Sequence, residues 1–195
     1  MDVVLALTAI LILAPLLIAI CLLIKFQDGG PILFTQERVG RGGRTFRCWK
    51  FRSMRPDAET YLTQLLASDS SLMGQWRHTR KLKRDPRVTR VGEALRRSSL
   101  DELPQLINIL RGEMSVVGPR PIVAAEIVHY GRWYGYYKNM NPGLTGLWQV
   151  SGRNDVSYRR RVALDRLFHR RRSWWLCSRI VAATVPAMVT RKGAY

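Results

Sequence analysis

The sequence predicts a mainly helical α+β fold, with an apolar N-terminal helix, a small β-hairpin and amphipathic helices suited to a membrane interface. Three observations carry that prediction. Residues 3–24 form an apolar run without a single charge. Two segments rich in β-branched and aromatic residues flank Gly40-Arg41-Gly42-Gly43. The remainder alternates amphipathic runs with Pro- and Gly-marked turns, and its last third interleaves arginine with tryptophan.

The apolar run is long enough, at about 1.5 Å per residue, to cross a hydrocarbon core of roughly 30 Å. A signal peptide fits poorly, because no basic segment precedes the run and no small-residue cleavage site follows it. Pro15 sits near the middle and removes a backbone donor there, which favours a kink. Spanning helices also tolerate proline, so a crossing helix and a re-entrant one both remain open at this point. Every Lys and Arg lies at Lys25 or beyond, which keeps residues 25–195 on the cytoplasmic side. The division that follows is a membrane segment, 1–24, and a cytoplasmic domain with interfacial helices, 25–195.

Gln27-Asp28-Gly29-Gly30-Pro31 ends the first helix. Residues 32–39 and 44–54 read as a β-hairpin, and the glycines between them are not a P-loop, since no GK[ST] follows. Residues 57–80 read as an amphipathic helix with Tyr61, Leu65 and Leu66 toward the core, and 81–90 as a solvated basic loop. A helix is predicted over 98–112, with Pro104 in its first turn and Gly112 as its stop. Val117-Gly118-Pro119-Arg120-Pro121 and Pro142-Gly143-Leu144-Thr145-Gly146 read as turns enclosing an aromatic-rich helix over 122–138. Residues 158–168 and 176–190 are amphipathic or apolar. The arginines and Trp174-Trp175 between them suit a helix lying among lipid headgroups.

The chain has 195 residues, with 32 Lys+Arg against 14 Asp+Glu, a formal charge of +18. That surplus calls for a polyanionic partner: nucleic acid, anionic lipid or a phosphorylated substrate. Cys21, Cys48 and Cys177 are odd in number and far apart, which argues against a zinc site or a disulfide framework and leaves reduced thiols facing the cytoplasm. The three histidines lack metal-ligand spacing, and no GxSxG or HExxH occurs.

The chemistry points to Asp101-Glu102. Adjacent acids at a helix start commonly do no more than cap it. Here acids are scarce, and Arg96 and Arg97 stand close in sequence. A carboxylate kept ionised by the helix dipole and arginines can attack phosphorus, and its neighbour can hold Mg²⁺ against a diphosphate. Arg120, fixed between two prolines, and Arg153 present planar forks that match phosphate oxygens.

Four ordered motifs then become recognisable: Lys50-Phe51-Arg52-Ser53-Met54, Ser99-Leu100-Asp101-Glu102-Leu103-Pro104-Gln105, Met114-Ser115-Val116-Val117-Gly118-Pro119-Arg120-Pro121, and the stretch from Pro142 to Asp155. Together they resemble the monotopic phosphoglycosyl transferases, the bacterial sugar transferase family, over nearly the whole chain. Gly193-Ala194-Tyr195 resembles the ending of members that start exopolysaccharide or O-antigen units with galactose or glucose phosphate. The resemblance implies a re-entrant membrane helix at the bacterial inner membrane, with the catalytic domain on the cytoplasmic face. It implies transfer of a sugar 1-phosphate from a UDP-sugar to undecaprenyl phosphate, with release of UMP. Asp101 would be the nucleophile, and Glu102 the Mg²⁺ ligand. Lys50, Arg52, Arg96, Arg120, Arg153 and Asp165 would contact the diphosphate or nucleotide. Oligomerisation stays open, and nucleic acid is not an expected partner. Two rival readings are a nucleic-acid-binding module and a catalytically inactive membrane scaffold; the first leaves the apolar run and the acid pair unexplained.

Overall fold

A computed structural model describes residues 1–79, 82, 85–152 and 156–189 of the chain. The apolar run forms α1, Asp2–Asp28, which extends past residues 3–24 at both ends and is continuous through Pro15. It closes on Gly29 at φ 68°, the left-handed conformation that glycine adopts without steric cost, and the Gly29 N–H returns to the Lys25 carbonyl.

One stripe of α1 is covered by the rest of the chain. Ala6, Ile20 and Ile24 are buried, and Ala9, Ile10, Leu17 and Cys21 are half-buried between them, at the three- and four-residue spacing of a single helix face. The opposite side is just as apolar yet bare: Leu11 is 75% exposed, Ile12 72% and Phe26 82%. The helix is long and apolar enough to cross a membrane, and it is also one wall of the core.

The hairpin forms as read. β1 (Leu33–Val39) pairs antiparallel with β2 (Thr45–Phe51), with Leu33 opposite Phe51 and Val39 opposite Thr45. Instead of one helix over 57–80, the described residues 57–79 hold two, α2 (Ala58–Ser68) and α3 (Ser70–Thr79), separated at Asp69, whose carboxylate accepts the N–H groups of Ser71 and Leu72. Tyr61, Leu65 and Leu66 are half-buried rather than core. The described end of the following loop, from Asp85 on, is not merely solvated: Arg87 is buried, 2.6 Å from the Asp85 carboxylate, and Val88 bridges Met54.

The helix predicted over 98–112 is interrupted. α4 (Arg90–Ser98), capped by Thr89, ends at Ser99, the one non-glycine residue with positive φ among the described residues. Leu100–Glu102 make a single 3₁₀ turn, and α5 is only Gln105–Leu110. Pro104 has no N–H to give, so an unbroken α ladder cannot run through it. The Ser99 geometry costs about 1 kcal/mol, and it turns the chain so that the acid pair leaves the axis of α4.

The segment over 122–138 is likewise broken. α6 (Ile127–Tyr130) and α7 (Tyr134–Lys138) are separated at Gly131, whose φ of 47° and ψ of −130° suit only glycine. The two proline-marked turns contain short strands the sequence did not signal, β3 (Ser115–Val117) and β4 (Gly143–Thr145), paired in parallel. α8 (Leu147–Val150), α9 (Tyr158–Arg171) and α10 (Trp174–Val189) complete the chain.

Among the described residues, four small apolar clusters stand in place of one large core. Ala6 of α1 packs with Cys48, Leu106, Ile109 and Met114, and Ile20 and Ile24 pack with Phe51 and Leu95. Val39, Ile122, Tyr130, Tyr137 and Val162 form a third, and Val117, Met140, Phe168 and Ile180 a fourth. The acid pair lies between the first two, where β2 meets the 3₁₀ turn.

Candidate active site

Asp101 and Glu102 are presented by the 3₁₀ turn against β2. Lys50 on β2 reaches both: its Nζ is 2.6 Å from Glu102 Oε1 and 3.9 Å from Asp101 Oδ2. That reach depends on a fixed distance between β2 and α5, and Asn108 sets it. Asn108 is fully buried in α5; its Oδ1 accepts the Trp49 N–H at 3.0 Å and its Nδ2 donates to the Arg47 carbonyl at 2.7 Å. The side chain thus pairs with the outer edge of β2 as another strand would. Its Nδ2 also donates to Glu113, and its own carbonyl receives the Glu113 and Met114 N–H groups, which aims the chain into β3.

A narrow cleft opens beside Glu102, lined by Arg38, Cys48, Lys50, Gln105, Arg120 and Gln149 among others. Arg120 makes no hydrogen bond or ion pair with the described residues, and its charge acts on Glu102. The loop that carries it is tightly held. Gly118 N–H donates to the Thr145 carbonyl and Gly143 N–H to the Pro119 carbonyl. A Cβ on either glycine would stand under 3.0 Å from backbone of the other. Arg38 donates to the Pro121 carbonyl at 3.2 Å, and the Val39 N–H donates to the Ile122 carbonyl, tying β1 to the same loop.

The two carboxylates differ in electrostatics. Burial pushes Asp101 up to about 6; Glu102 adds to the rise, while Lys50 and Arg96 oppose it. This departs from a carboxylate held low by a helix dipole, as a six-residue α5 and a buried site would imply. Asp101 is nevertheless mainly ionised at neutral pH. Burial also acts on Glu102, but Lys50, Arg120 and Arg38 outweigh it and leave the group below the usual glutamate range. Cys48 is pushed up to about 11 by burial and stays a neutral thiol.

The other expected residues separate into groups. Arg96 is beside the nucleophile candidate, with its Nε 2.8 Å from Ser53 Oγ and its charge felt at Asp101. Arg52 is not among the residues that line the cleft: its guanidinium pairs with Asp28 at the end of α1 and lies against Gly30. Asp165 is 3% exposed in α9, where it accepts the Tyr130 hydroxyl at 2.8 Å, and it is absent from the cleft lining. Arg153 and the Gly193-Ala194-Tyr195 ending lie outside the described residues.

Sequence reasoning missed Arg38, Cys48, Gln105, Asn108 and Gln149. Strand alternation held a signal for two of them. Lys50 stands opposite Phe34, Cys48 opposite Gln36 and Phe46 opposite Arg38, so Cys48 and Arg38 share the Lys50 face of the hairpin.

The chain is similar to known proteins over its whole length. The chain is 48% identical to the exopolysaccharide production protein ExoY of Sinorhizobium fredii, over 100% of this chain and 86% of that one. It is 46% identical to a UDP-galactose-lipid carrier transferase of Erwinia amylovora and 45% identical to an undecaprenyl-phosphate galactose phosphotransferase of Salmonella typhimurium. In both cases all of this chain matches 40% of the longer relative. The profile of the bacterial sugar transferases matches residues 1–191, and the chain belongs to that family.

Proposed function

We propose that the protein transfers a sugar 1-phosphate, galactose or glucose phosphate, from a UDP-sugar to undecaprenyl phosphate at the cytoplasmic face of a bacterial inner membrane, as the first membrane step of exopolysaccharide or O-antigen synthesis. The observation that carries this reading is the buried Asp101 beside Glu102 and Lys50, two residues that line a cationic cleft, in a body walled by a lipid-suited helix.

An ionised Asp101 oxygen attacks the β-phosphorus of the UDP-sugar. A bond forms between that oxygen and phosphorus, and the bond to the bridging diphosphate oxygen breaks. UMP leaves with that electron pair, and an aspartyl phosphosugar remains. An oxygen of undecaprenyl phosphate then attacks the same phosphorus and releases the Asp101 carboxylate, giving the sugar diphosphate lipid. Lys50, Arg38 and Arg120 hold the diphosphate and offset the charge that builds on the leaving group. Burial of Asp101 strips water from the nucleophile and disfavours hydrolysis of the intermediate.

The donor set suits Mg²⁺. This ion takes one or two carboxylates and completes its shell with water and substrate phosphate oxygens. Glu102 is partly exposed, ionised and at the cleft, and Asp101 is adjacent. Bound by Glu102, Mg²⁺ would neutralise diphosphate charge.

Two features support attachment to one membrane face. α1 bares an apolar side that water does not suit, while both of its ends are tied to the cytoplasmic body: Ser115 Oγ donates to Asp2 Oδ2, and Arg52 pairs with Asp28. α10 begins with Trp174 and Trp175, 68% and 73% exposed, one serine after Arg170–Arg172, a pattern suited to headgroups. This supports a re-entrant α1 with interfacial helices over a crossing one.

The test is incubation with UDP-galactose or UDP-glucose and Mg²⁺ without lipid acceptor. The wild type gains the mass of one hexose phosphate and releases UMP; Asp101→Asn does neither. Normal UMP release by Asp101→Asn would remove Asp101 as the nucleophile.

A further inference from the structure

Gln105 stands apart in the cleft. It is 2% exposed, and its side chain makes no hydrogen bond among the described residues. Buried amides are ordinarily paired, because an unmet donor and acceptor forfeit hydration without return. The little of Gln105 that is exposed opens on the cleft, whose lining it joins. A second amide shares that lining: Gln149 Oε1 is enclosed without a donor, although its Nε2 donates to the Leu144 carbonyl at 3.3 Å. Among Arg38, Lys50, Arg120 and Glu102, these are two neutral amides, each able both to donate and to accept.

A diphosphate, carrying only acceptors, leaves the acceptor oxygens of two amides unused. Neutral hydroxyls, which donate and accept, meet both halves of an amide. Gln105 lines the cleft together with Glu102 and Lys50, and the Lys50 ammonium is 3.9 Å from Asp101. The sugar is the group bonded directly to the phosphorus that Asp101 would hold. The uracil lies farther off, beyond a second phosphate and a ribose.

We propose that Gln105, with Gln149 beside it, binds the hydroxyl groups of the sugar of the nucleotide-sugar substrate. This rests on the transferase reading above and assigns the cleft's neutral wall to the sugar, leaving the diphosphate to its cations.

The experiment compares wild type, Gln105→Ala and the volume-conserving Gln105→Met, all in full-length, detergent-solubilised form. UDP-galactose and UDP-glucose serve as substrates, and UMP, which lacks the sugar, as a competitive inhibitor. Both variants are expected to raise KM for the UDP-sugars roughly three- to tenfold, the scale of one or two neutral hydrogen bonds. The loss falls on KM more than on kcat, since the sugar hydroxyls do not react. The UMP inhibition constant stays within twofold of wild type. A parallel weakening of UMP would show that the amide reads the nucleotide, and unchanged KM in both variants would show that it reads nothing; either overturns the proposal. Failure of the transferase reading looks different, as the wild type itself would release no UMP.

Discussion

Lys50 is closed onto Glu102, with Nζ and Oε1 2.6 Å apart, while the same ammonium stays 3.9 Å from Asp101. The lysine therefore neutralises the acid that is not the proposed nucleophile, and it leaves an Asp101 oxygen free to approach phosphorus. Replacing it exposes both consequences. Lys50→Met is expected to lower UMP release about 100-fold or more, the usual cost of losing a charge aimed at a developing anion. Stability should fall by only about 1–2 kcal/mol, because both side chains are partly exposed and water screens the orphaned carboxylates. UMP release and denaturant unfolding in detergent measure the two effects separately.

The Arg120 loop makes a second test. Gly118 and Gly143 approach so closely that a Cβ on either meets rigid backbone, not a movable side chain. Gly143→Ala is expected to destabilise the protein by about 2 kcal/mol or more, as overpacking does where nothing can yield. Activity in the surviving folded fraction should also fall, since the strand pair that seats Arg120 is forced apart. A melting curve together with specific activity per folded molecule checks both halves.

Much of this was legible in the sequence. The hairpin was, because alternation and a glycine turn are local signals. So was the apolar helix, and so was the acid pair beside a helix start. What escaped was decided by tertiary contact. The helix over 98–112 carries helical periodicity, and nothing in that pattern announces Ser99 in the left-handed region or the 3₁₀ turn beyond it. β3 and β4 are three residues each and hold together through glycines 25 positions apart, a pairing no local window contains. Arg52 and Asp165 are charged residues within or near recognisable motifs, yet the structure gives them to Asp28 and Tyr130. A charge in a motif names a partner only once the fold has chosen one. Asn108 shows the reverse: an ordinary residue of an apolar helix turns out to set the spacing of the site.

Asp165 predicts how stability depends on pH. Burial pushes it up to about 7, against the pull of the Tyr130 hydroxyl and Arg161. In the unfolded chain it titrates near 3.8. Between these values the folded protein holds a proton that the unfolded chain has released, so stability falls as pH rises from about 4 to about 7. Asp165→Asn keeps an acceptor for Tyr130 but cannot titrate. Its Tm should change less between pH 5 and pH 7.5 than that of the wild type, and it should be the more stable of the two at pH 7.5. A wild-type Tm that falls over that range by no more than that of the variant would contradict the assignment.

The two ends of α1 make the last prediction. Asp2 accepts a 2.5 Å hydrogen bond from Ser115 at the start of β3, and Asp28 pairs with Arg52 just after β2. A straight crossing helix would set its ends on opposite sides of a core roughly 30 Å thick, and one body lying outside the hydrocarbon cannot hold both. The ends should thus lie on the same side, with the bare middle in lipid. Val4, Ile12 and Phe26 are 65%, 72% and 82% exposed, and each tolerates a reporter. With Cys21, Cys48 and Cys177 replaced by serine or alanine, single cysteines at these three positions can be probed with a membrane-impermeant maleimide. Val4→Cys and Phe26→Cys should react in inverted membrane vesicles and stay silent in right-side-out ones, while Ile12→Cys reacts in neither. Reaction of Val4→Cys only in right-side-out vesicles would mean that α1 crosses, that the Asp2–Ser115 bond does not exist in the membrane, and that β3 lacks its tie to the helix.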